Sequence, residues 1–483
     1  MAIDNTGPNP RRWRALALIA AAQFVVIMDT SIIGVALPKM KDSLGFGQEN
    51  LSWVFNAYVV AFGGLLLLGG RLSDLLGARR LFSAGWAILG AGSLLAGLAQ
   101  NVPAELAGRA VQGLGAALIA PSALTLLMML FGGSPKELTK AFALYGAAAP
   151  AGGTAGVFLG GLITQYISWP WVFYINIPVA AVALLATPSL MPSAPRRSGG
   201  IDVLGALTVT GGLAAAVYAI VRAPEAGWAS APTLLTLAGA AVLLIAFLVI
   251  QVRRREPLMR LGIFKVPNLG AANLAQFLLA AAWVPMWFFL NLYLQQVLHL
   301  GAFASGAALL PMTVAIMGIM ITLAPRLIAR FGPKALVVTG MLALGAGLGG
   351  LSLARPDGNF WTDVLPASLL AAIGMALAFI PSLGTAISSA PPEDGGLASG
   401  IVNTGYQVGS ALGLAAMTAM AGAQTPDTTV EGLTSGFSAA FVGSAAIAVA
   451  GALLAVATLR TPRPDGAAAS AASAAEARSA AVG

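Results

Sequence analysis

Read from its N-terminus, the chain is a series of apolar stretches, each about the length of a bilayer crossing, separated by short polar or basic breaks. A bilayer core of about 30 Å takes roughly 20 residues of helix, so each stretch predicts a span. The stretches are built from Ala, Leu, Gly and Val without the every-second-residue alternation of a lipid-facing barrel, which makes them helices. Fourteen are predicted, at 15–37, 51–69, 81–99, 104–128, 140–163, 172–190, 203–221, 233–251, 268–290, 306–325, 335–353, 363–388, 401–421 and 437–458.

The breaks carry an orientation and a repeat. With the N-terminus in the cytoplasm, 21 of the 26 Lys and Arg fall on the cytoplasmic side, 4 outside (Lys39, Lys41, Arg222, Arg355) and 1 within a span (Arg109), as the positive-inside rule requires. RLSDLLGAR, Arg71 to Arg79, returns 255 residues later as RLIARFGPK, Arg326 to Lys334, each after the second span of its half. A weaker echo pairs GAALIAPS, ending at Ser122, with GMALAFIPS, ending at Ser382. The expected organisation is a cytoplasmic tail (1–14), a six-helix bundle (15–195), a two-span insert with flanking cytoplasmic loops (196–260), a second six-helix bundle (261–460) and an Ala/Ser/Pro-rich disordered cytoplasmic tail (461–483). Both bundles begin on the same side, so the repeat is parallel, and the fold class is all-α integral membrane.

Composition closes off other classes. With 58% hydrophobic residues, 9% charged and a mean hydropathy of +0.84, the chain does not fit a water-soluble domain of 483 residues. The net charge of +8 is accounted for by topology, and no nucleic-acid partner is expected. No cysteine is present, which removes disulfides and thiol chemistry. The opening MAIDNTGPNPRRWR is read as a retained tail rather than a signal peptide. His299, the single histidine, falls in an outer loop, and no Ser/His/Asp set, metal spacing or phosphate loop is found, so neither an enzyme, a metal site nor a cofactor is expected.

Charge inside hydrocarbon costs about 2.5–3.5 kcal/mol on insertion scales, so a buried charge asks for a reason. Asp29 and Arg109 are the two charges read as lying well inside spans. Asp29 is nine residues before Pro38 and Arg109 six after Pro103, hence about 13 and 9 Å from the outer helix ends. A carboxylate whose surroundings can change between a guanidinium and a dry cavity suits proton coupling. The plainer reading is a permanent bridge between the first and fourth spans. Against it, Leu369, the position matching Arg109 in the second half, is uncharged.

These residues sit in motifs. "MDTSIIGVALP" ends the first span, "GRLSDLLGARRLF" follows the second, "RAVQGLGAALIAPS" lies in the fourth, "GVFLGG" in the fifth, "WPWVFYINIPVA" opens the sixth and "GLASGIVNTGYQVGSALGLA" begins a late one. From Gln23 to Leu459 the chain resembles the major facilitator superfamily, and within it the fourteen-span drug:proton antiporters of the QacA/EmrB type. The resemblance implies two six-helix bundles plus two extra spans between them, a proton gradient as energy source, and export of lipophilic, cationic or neutral small molecules by alternating access. It implies proton coupling by Asp29 and Arg109, and a cytoplasmic latch at Gly70, Asp74, Gly77, Arg79 and Arg80. It also implies an antiporter glycine face at Gly152, Gly156, Gly160 and Gly161 that packs the two halves together. Val157 stands where the family usually has proline, and Ala329 where the second loop copy would repeat Asp74.

Polar and aromatic residues at mid-span depth, Gln23, Asn56, Tyr58, Gln112, Asn273, Gln276, Trp283, Trp287, Asn403 and Gln407, would suit an amphipathic ligand, though each has the plainer reading of interhelical glue or an interfacial ring. Asp363 sits at a span's outer end and Glu393 and Asp394 in a loop, so protons and substrate would compete for Asp29 alone. The expectation is a monomeric, multi-pass carrier in a bacterial cytoplasmic membrane, with both termini inside. A metabolite symporter or facilitator, and a transporter-derived scaffold or receptor, are the alternatives.

Overall fold

The computed structural model describes residues 11–46, 53–193, 202–254, 257, 261–390, 394–425 and 429–460. The 461–483 tail, residues 1–10 of the N-terminal tail, much of the two basic loops flanking the insert, and Glu393 lie outside them. Among the described residues every regular element is helical: α1 (Arg12–Leu44), α2 (Trp53–Leu76), α3 (Ala78–Gly97), α4 (Val102–Phe131), α5 (Pro135–Tyr166), a short α6 (Trp171–Tyr174) leading into α7 (Asn176–Leu190), α8 (Val203–Ala226), α9 (Ala231–Arg253), α10 (Leu269–Leu292), α11 (Ala302–Ala308), α12 (Leu310–Gly318), α13 (Ala324–Leu351), α14 (Leu365–Ser388), α15 (Gly395–Ala423) and α16 (Val430–Thr458). Single π turns extend α10, join α12 to α13 and precede α14.

Eleven helical stretches among the described residues are long and apolar enough to cross a membrane. They depart from the fourteen predicted spans at three places. One stretch, Phe303–Leu351, is 49 residues long and covers two predicted spans. The helices α3 and α15 are not among the eleven, because Arg79 and Arg80 open the first and glycine and polar residues dilute the second.

Local chemistry sets the helix ends. Asn101 accepts a hydrogen bond from the Ala104 N–H at 2.9 Å and Pro103 occupies the first turn, so α4 starts there. The segment read as a loop after the second span is a helical corner instead: α2 continues to Leu76, and Gly77, at φ 92°, is the one break before α3. Its counterpart Gly332 has φ 78° inside α13. The two glycines are separated by 332 − 77 = 255 residues, the offset of the sequence repeat, and each supplies a backbone conformation that only glycine takes without strain.

Packing follows the two halves. In the first, α1 lies along α5, and α4 packs on α2 and α3; in the second, α10 lies along α15, and α13 packs on α14 and α16. Helix α8 pairs with α9 and touches both α2 and α15, so the insert lies against both halves. Helix α9 turns Leu235, Val242 and Ile245 outward, each more than 60% exposed, which suits a lipid-facing surface. The core is apolar, built mostly of Ala, Leu, Ile, Val and Met, with Trp86, Phe82 and Phe173 fully buried.

Candidate functional site

Asp29 and Arg109 are brought together. The Arg109 Nη1 donates to Asp29 Oδ2 at 2.6 Å, and both side chains are 0% exposed. The surroundings complete the coordination of the carboxylate: Gln112 Nε2 donates to Oδ1 at 3.0 Å and Asn176 Nδ2 to the same oxygen at 2.7 Å. Arginine is held in turn by the Val54 carbonyl, which accepts from Nε at 2.9 Å, and by Gln112 Oε1 at 2.7 Å. Ser93 Oγ accepts from Gln112 at 2.8 Å. The guanidinium carbon lies 4.6 Å from the Tyr58 ring centroid, a cation–π contact. Five helices therefore contribute to one buried cluster: α1 by Asp29, α4 by Arg109 and Gln112 and α7 by Asn176 at the carboxylate, and α2 by Val54 and Tyr58 and α3 by Ser93 around them.

The glycine face sets where Asp29 sits. Gly152, Gly156 and Gly160 recur every four residues on α5 and meet the α1 backbone at Phe24, Met28 and Ile32. A Cβ at Gly156 would lie 2.8 Å from the Met28 carbonyl oxygen, and one at Gly160 2.8 Å from that of Ile32, so only glycine admits this approach. This corrects the expectation that the face joins the two halves: it packs α5 on α1 within one half, and Gly161 is only half-buried. The opposite face of α5 meets the second half, where Thr154 and Thr313 hydrogen-bond by their hydroxyls and the Phe158 and Phe303 rings lie 5.2 Å apart. Val157 is on that face, against Gly306. The second half repeats the stripe with Gly409 and Gly413 of α15 on the backbone of Phe277 and Ala281 in α10.

At the Gly77 corner, Asp74 crosses between halves. Its Oδ1 accepts from the Gly396 N–H at 2.8 Å and its Oδ2 from the Leu397 N–H at 2.9 Å, which caps the first turn of α15 with a carboxylate. Gly70, one turn earlier, leaves room for α15: a Cβ there would lie 2.5 Å from the Gly396 carbonyl oxygen. The arginines go elsewhere, Arg79 to the Pro188 carbonyl at 3.5 Å and Arg80 to the surface. Near this end, a cavity of about 710 Å³ lies between α4–α5 and α14, lined by Met128, Met129, Phe142, Ile380 and Pro381 among others.

The residues named as cavity walls divide. Tyr58 and Gln112 belong to the Asp29 cluster. Gln276 joins α10 to α14 through the Phe379 carbonyl and Ser382 Oγ, both at 3.0 Å, while Asn273 and Asn403 donate to carbonyls of their own helices. Half-buried Gln23 accepts from the Tyr145 hydroxyl at 2.7 Å. Trp283 and Trp287 meet edge to face at 6.1 Å. Asn56 is buried and Gln407 half-buried.

Three members of the site went unassigned in the sequence. Asn176 stood in the quoted "WPWVFYINIPVA" and Ser93 had no neighbour of note. Glu105, the second residue of the span predicted at 104–128 and one turn before Arg109, is given no role by the sequence, yet it is 0% exposed, so Asp29 is not the first half's only buried carboxylate.

A family profile described as the Major Facilitator Superfamily matches residues 19–414. The puromycin resistance protein pur8 of Streptomyces alboniger is 36% identical over 464 residues, 93% of this chain and 92% of that one. The cephamycin export protein CmcT of Amycolatopsis lactamdurans is 37% identical over 444 residues, 91% of each. Among solved structures, the proton:xylose symporter XylE aligns with a TM-score of 0.66 at 14% identity, over 94% of this chain and 97% of that one, a likeness of fold. The chain belongs to the Major Facilitator Superfamily.

Proposed function

We propose that this protein is a proton-driven exporter of lipophilic small molecules, of antibiotic type, in a bacterial cytoplasmic membrane. The observation that carries the reading is the Asp29–Arg109 pair: a fully buried acid, held by three donors from two other helices, in one half of a repeated fold whose second half has Leu369 at the position matching Arg109. A purely architectural bridge has no reason to be confined to one half, whereas a group that binds and releases a proton needs only one copy. The relatives support export: one is a puromycin resistance protein, another exports cephamycin, and a third, 33% identical, is a tetracenomycin C resistance and export protein.

In this reading the Phe303–Leu351 stretch crosses twice, turning at Gly332, and α3 and α15 also cross, which makes fourteen spans of the QacA/EmrB type. The Asp74 end is cytoplasmic, where the positive-inside rule puts the basic breaks. Substrate reaches the cavity between α4–α5 and α14 from the cytoplasm or inner leaflet, the halves rock, and a proton from outside neutralises Asp29 as substrate leaves. Protein reconstituted in liposomes under a pH gradient tests this. Wild type should move ethidium or a neutral lipophilic dye against its gradient only when protons run the other way, and Asp29→Asn should not. Equal behaviour of the two proteins would make Asp29 architectural; dye moving with the protons would make the carrier a symporter.

A further inference from the structure

Glu105 is a buried carboxylate that the cycle above leaves idle. Its side chain is 0% exposed, and neither Oε1 nor Oε2 has a hydrogen-bond partner among the described residues. Arg109 Nη2 is also without one, although Nη1 and Nε of the same guanidinium make three hydrogen bonds between them. Glu105 and Arg109 stand four residues apart on α4 and share one face of it. An unused donor edge and an unused acceptor thus lie one helical turn apart in a dry interior without pairing. Glu105 is on the Asn101 side of Arg109, away from the Asp74 end.

Around this group, the guanidinium of Arg109 on its own helix attracts a negative charge and Asp29 on α1 repels one. Tyr58 from α2 faces the guanidinium, Ser93 of α3 and Asn176 of α7, which do not titrate, belong to the Asp29 cluster, and Tyr174 of α6 donates its hydroxyl to the Gly97 carbonyl at the end of α3. A role as a helix-start acid would not need burial, and Asn101 already caps α4.

We propose that Glu105 is a second proton-binding carboxylate of this carrier and the alternative partner of Arg109. The inference rests on the exporter reading and extends it. A buried carboxylate without a donor is the costliest form of that side chain, so in the arrangement described Glu105 carries a proton and Asp29 the charge. The exchange is balanced: the Glu105 carboxyl gives its proton to the Asp29 carboxylate, Asp29 becomes a neutral acid, Glu105 becomes the anion, and Arg109 swings one turn along α4 to bring Nη2 onto it. One positive and one negative charge are paired before and after, and no bare charge is left in the membrane. Glu105 is then the group that meets protons from the outer side, ahead of Asp29.

Infrared spectroscopy of the full-length protein in liposomes at neutral pH, taken as differences between wild type and each variant in the absence of any dye, tests this, with ethidium antiport measured in the same preparations. Wild type should show the carbonyl band of a protonated carboxylic acid in a dry site. Glu105→Gln should abolish it, and Glu105→Asp should restore it at a shifted frequency. Asp29→Asn should also abolish it, because Arg109 then pairs with an ionised Glu105. If Glu105→Gln leaves both the wild-type spectrum and the pH profile of antiport unchanged, or if the band persists in Asp29→Asn, the proposal is overturned. Should the band obey all these rules while wild type moves no ethidium against its gradient, the paired carboxylates stand and the exporter reading is what fails.

Discussion

Replacing Asp74 by alanine removes the carboxylate that holds α2 to the start of α15. Two backbone N–H groups lose their acceptor, from hydrogen bonds of 2.8 and 2.9 Å. Hydrogen bonds to a charged group contribute about 1.5–3 kcal/mol each when well buried. Asp74 is only half-buried, so water can replace part of what is lost, and about 2 kcal/mol for the pair is the appropriate scale. At about 1.4 kcal/mol per tenfold, the equilibrium between the state closed at this end and the state open there moves by a factor of about 30. No cysteine competes for label in this chain, so one introduced pair reports alone. Spin labels at Arg80 and Ser388, both exposed and in opposite halves near this end, give a distance distribution by pulsed electron resonance. Asp74→Ala should transfer population from the short distance to a longer one, and Asp74→Asn, which keeps one acceptor, should transfer less. Superimposable distributions for wild type and Asp74→Ala would show that the capping contact carries no energy and that packing alone closes this end.

Other substitutions separate packing, strain and charge. Gly156→Val sets a branched side chain against the Met28 carbonyl and Ser31, and overpacking of this kind costs about 1–3 kcal/mol; thermal unfolding in detergent should shift down and transport fall, and an unchanged melting curve would rule out the close approach of α5 to α1. Gly332→Ala meets no atom within 4 Å, so its effect is backbone strain alone, about 1–3 kcal/mol at φ 78°; stability equal to wild type would mean the corner relaxes. Arg109→Leu leaves Asp29 buried without its cation, a loss of about 3–5 kcal/mol, whereas Asp29→Asn keeps an acceptor for the same donors. The arginine variant should therefore unfold at the lower temperature, and the reverse order would contradict the pairing.

Much of the architecture was legible because membranes make burial periodic and uniform: apolar length marks helices, and the Arg71 and Arg326 segments marked a repeat whose Gly77 and Gly332 take the same unusual backbone. Asp29 and Arg109 could be paired from depth alone, since each helix advances by a fixed rise. Their other partners could not. Ser93 and Asn176 reach the site through the rotation of α3 and α7, which no spacing within one helix specifies. Glu105 was hidden by a boundary: a carboxylate at the first turn of a span reads as solvated until the neighbouring helices are seen to cover it. The glycine stripe was visible, but which helix it receives depends on the tertiary arrangement, and α5 presents it to α1 rather than to the other half.

That stripe makes α5 a rigid lever. One side lies backbone to backbone on the helix that carries Asp29, with no flexible side chain to absorb a displacement; the other bears Thr154, Val157 and Phe158 against the opposite half. Close-packed surfaces transmit small shifts rather than damping them. In the proposed cycle, a fraction of an ångström gained by α1 when its carboxylate changes charge would be handed to the seam between the halves with little lost motion, and residues that never touch a proton would feel its arrival.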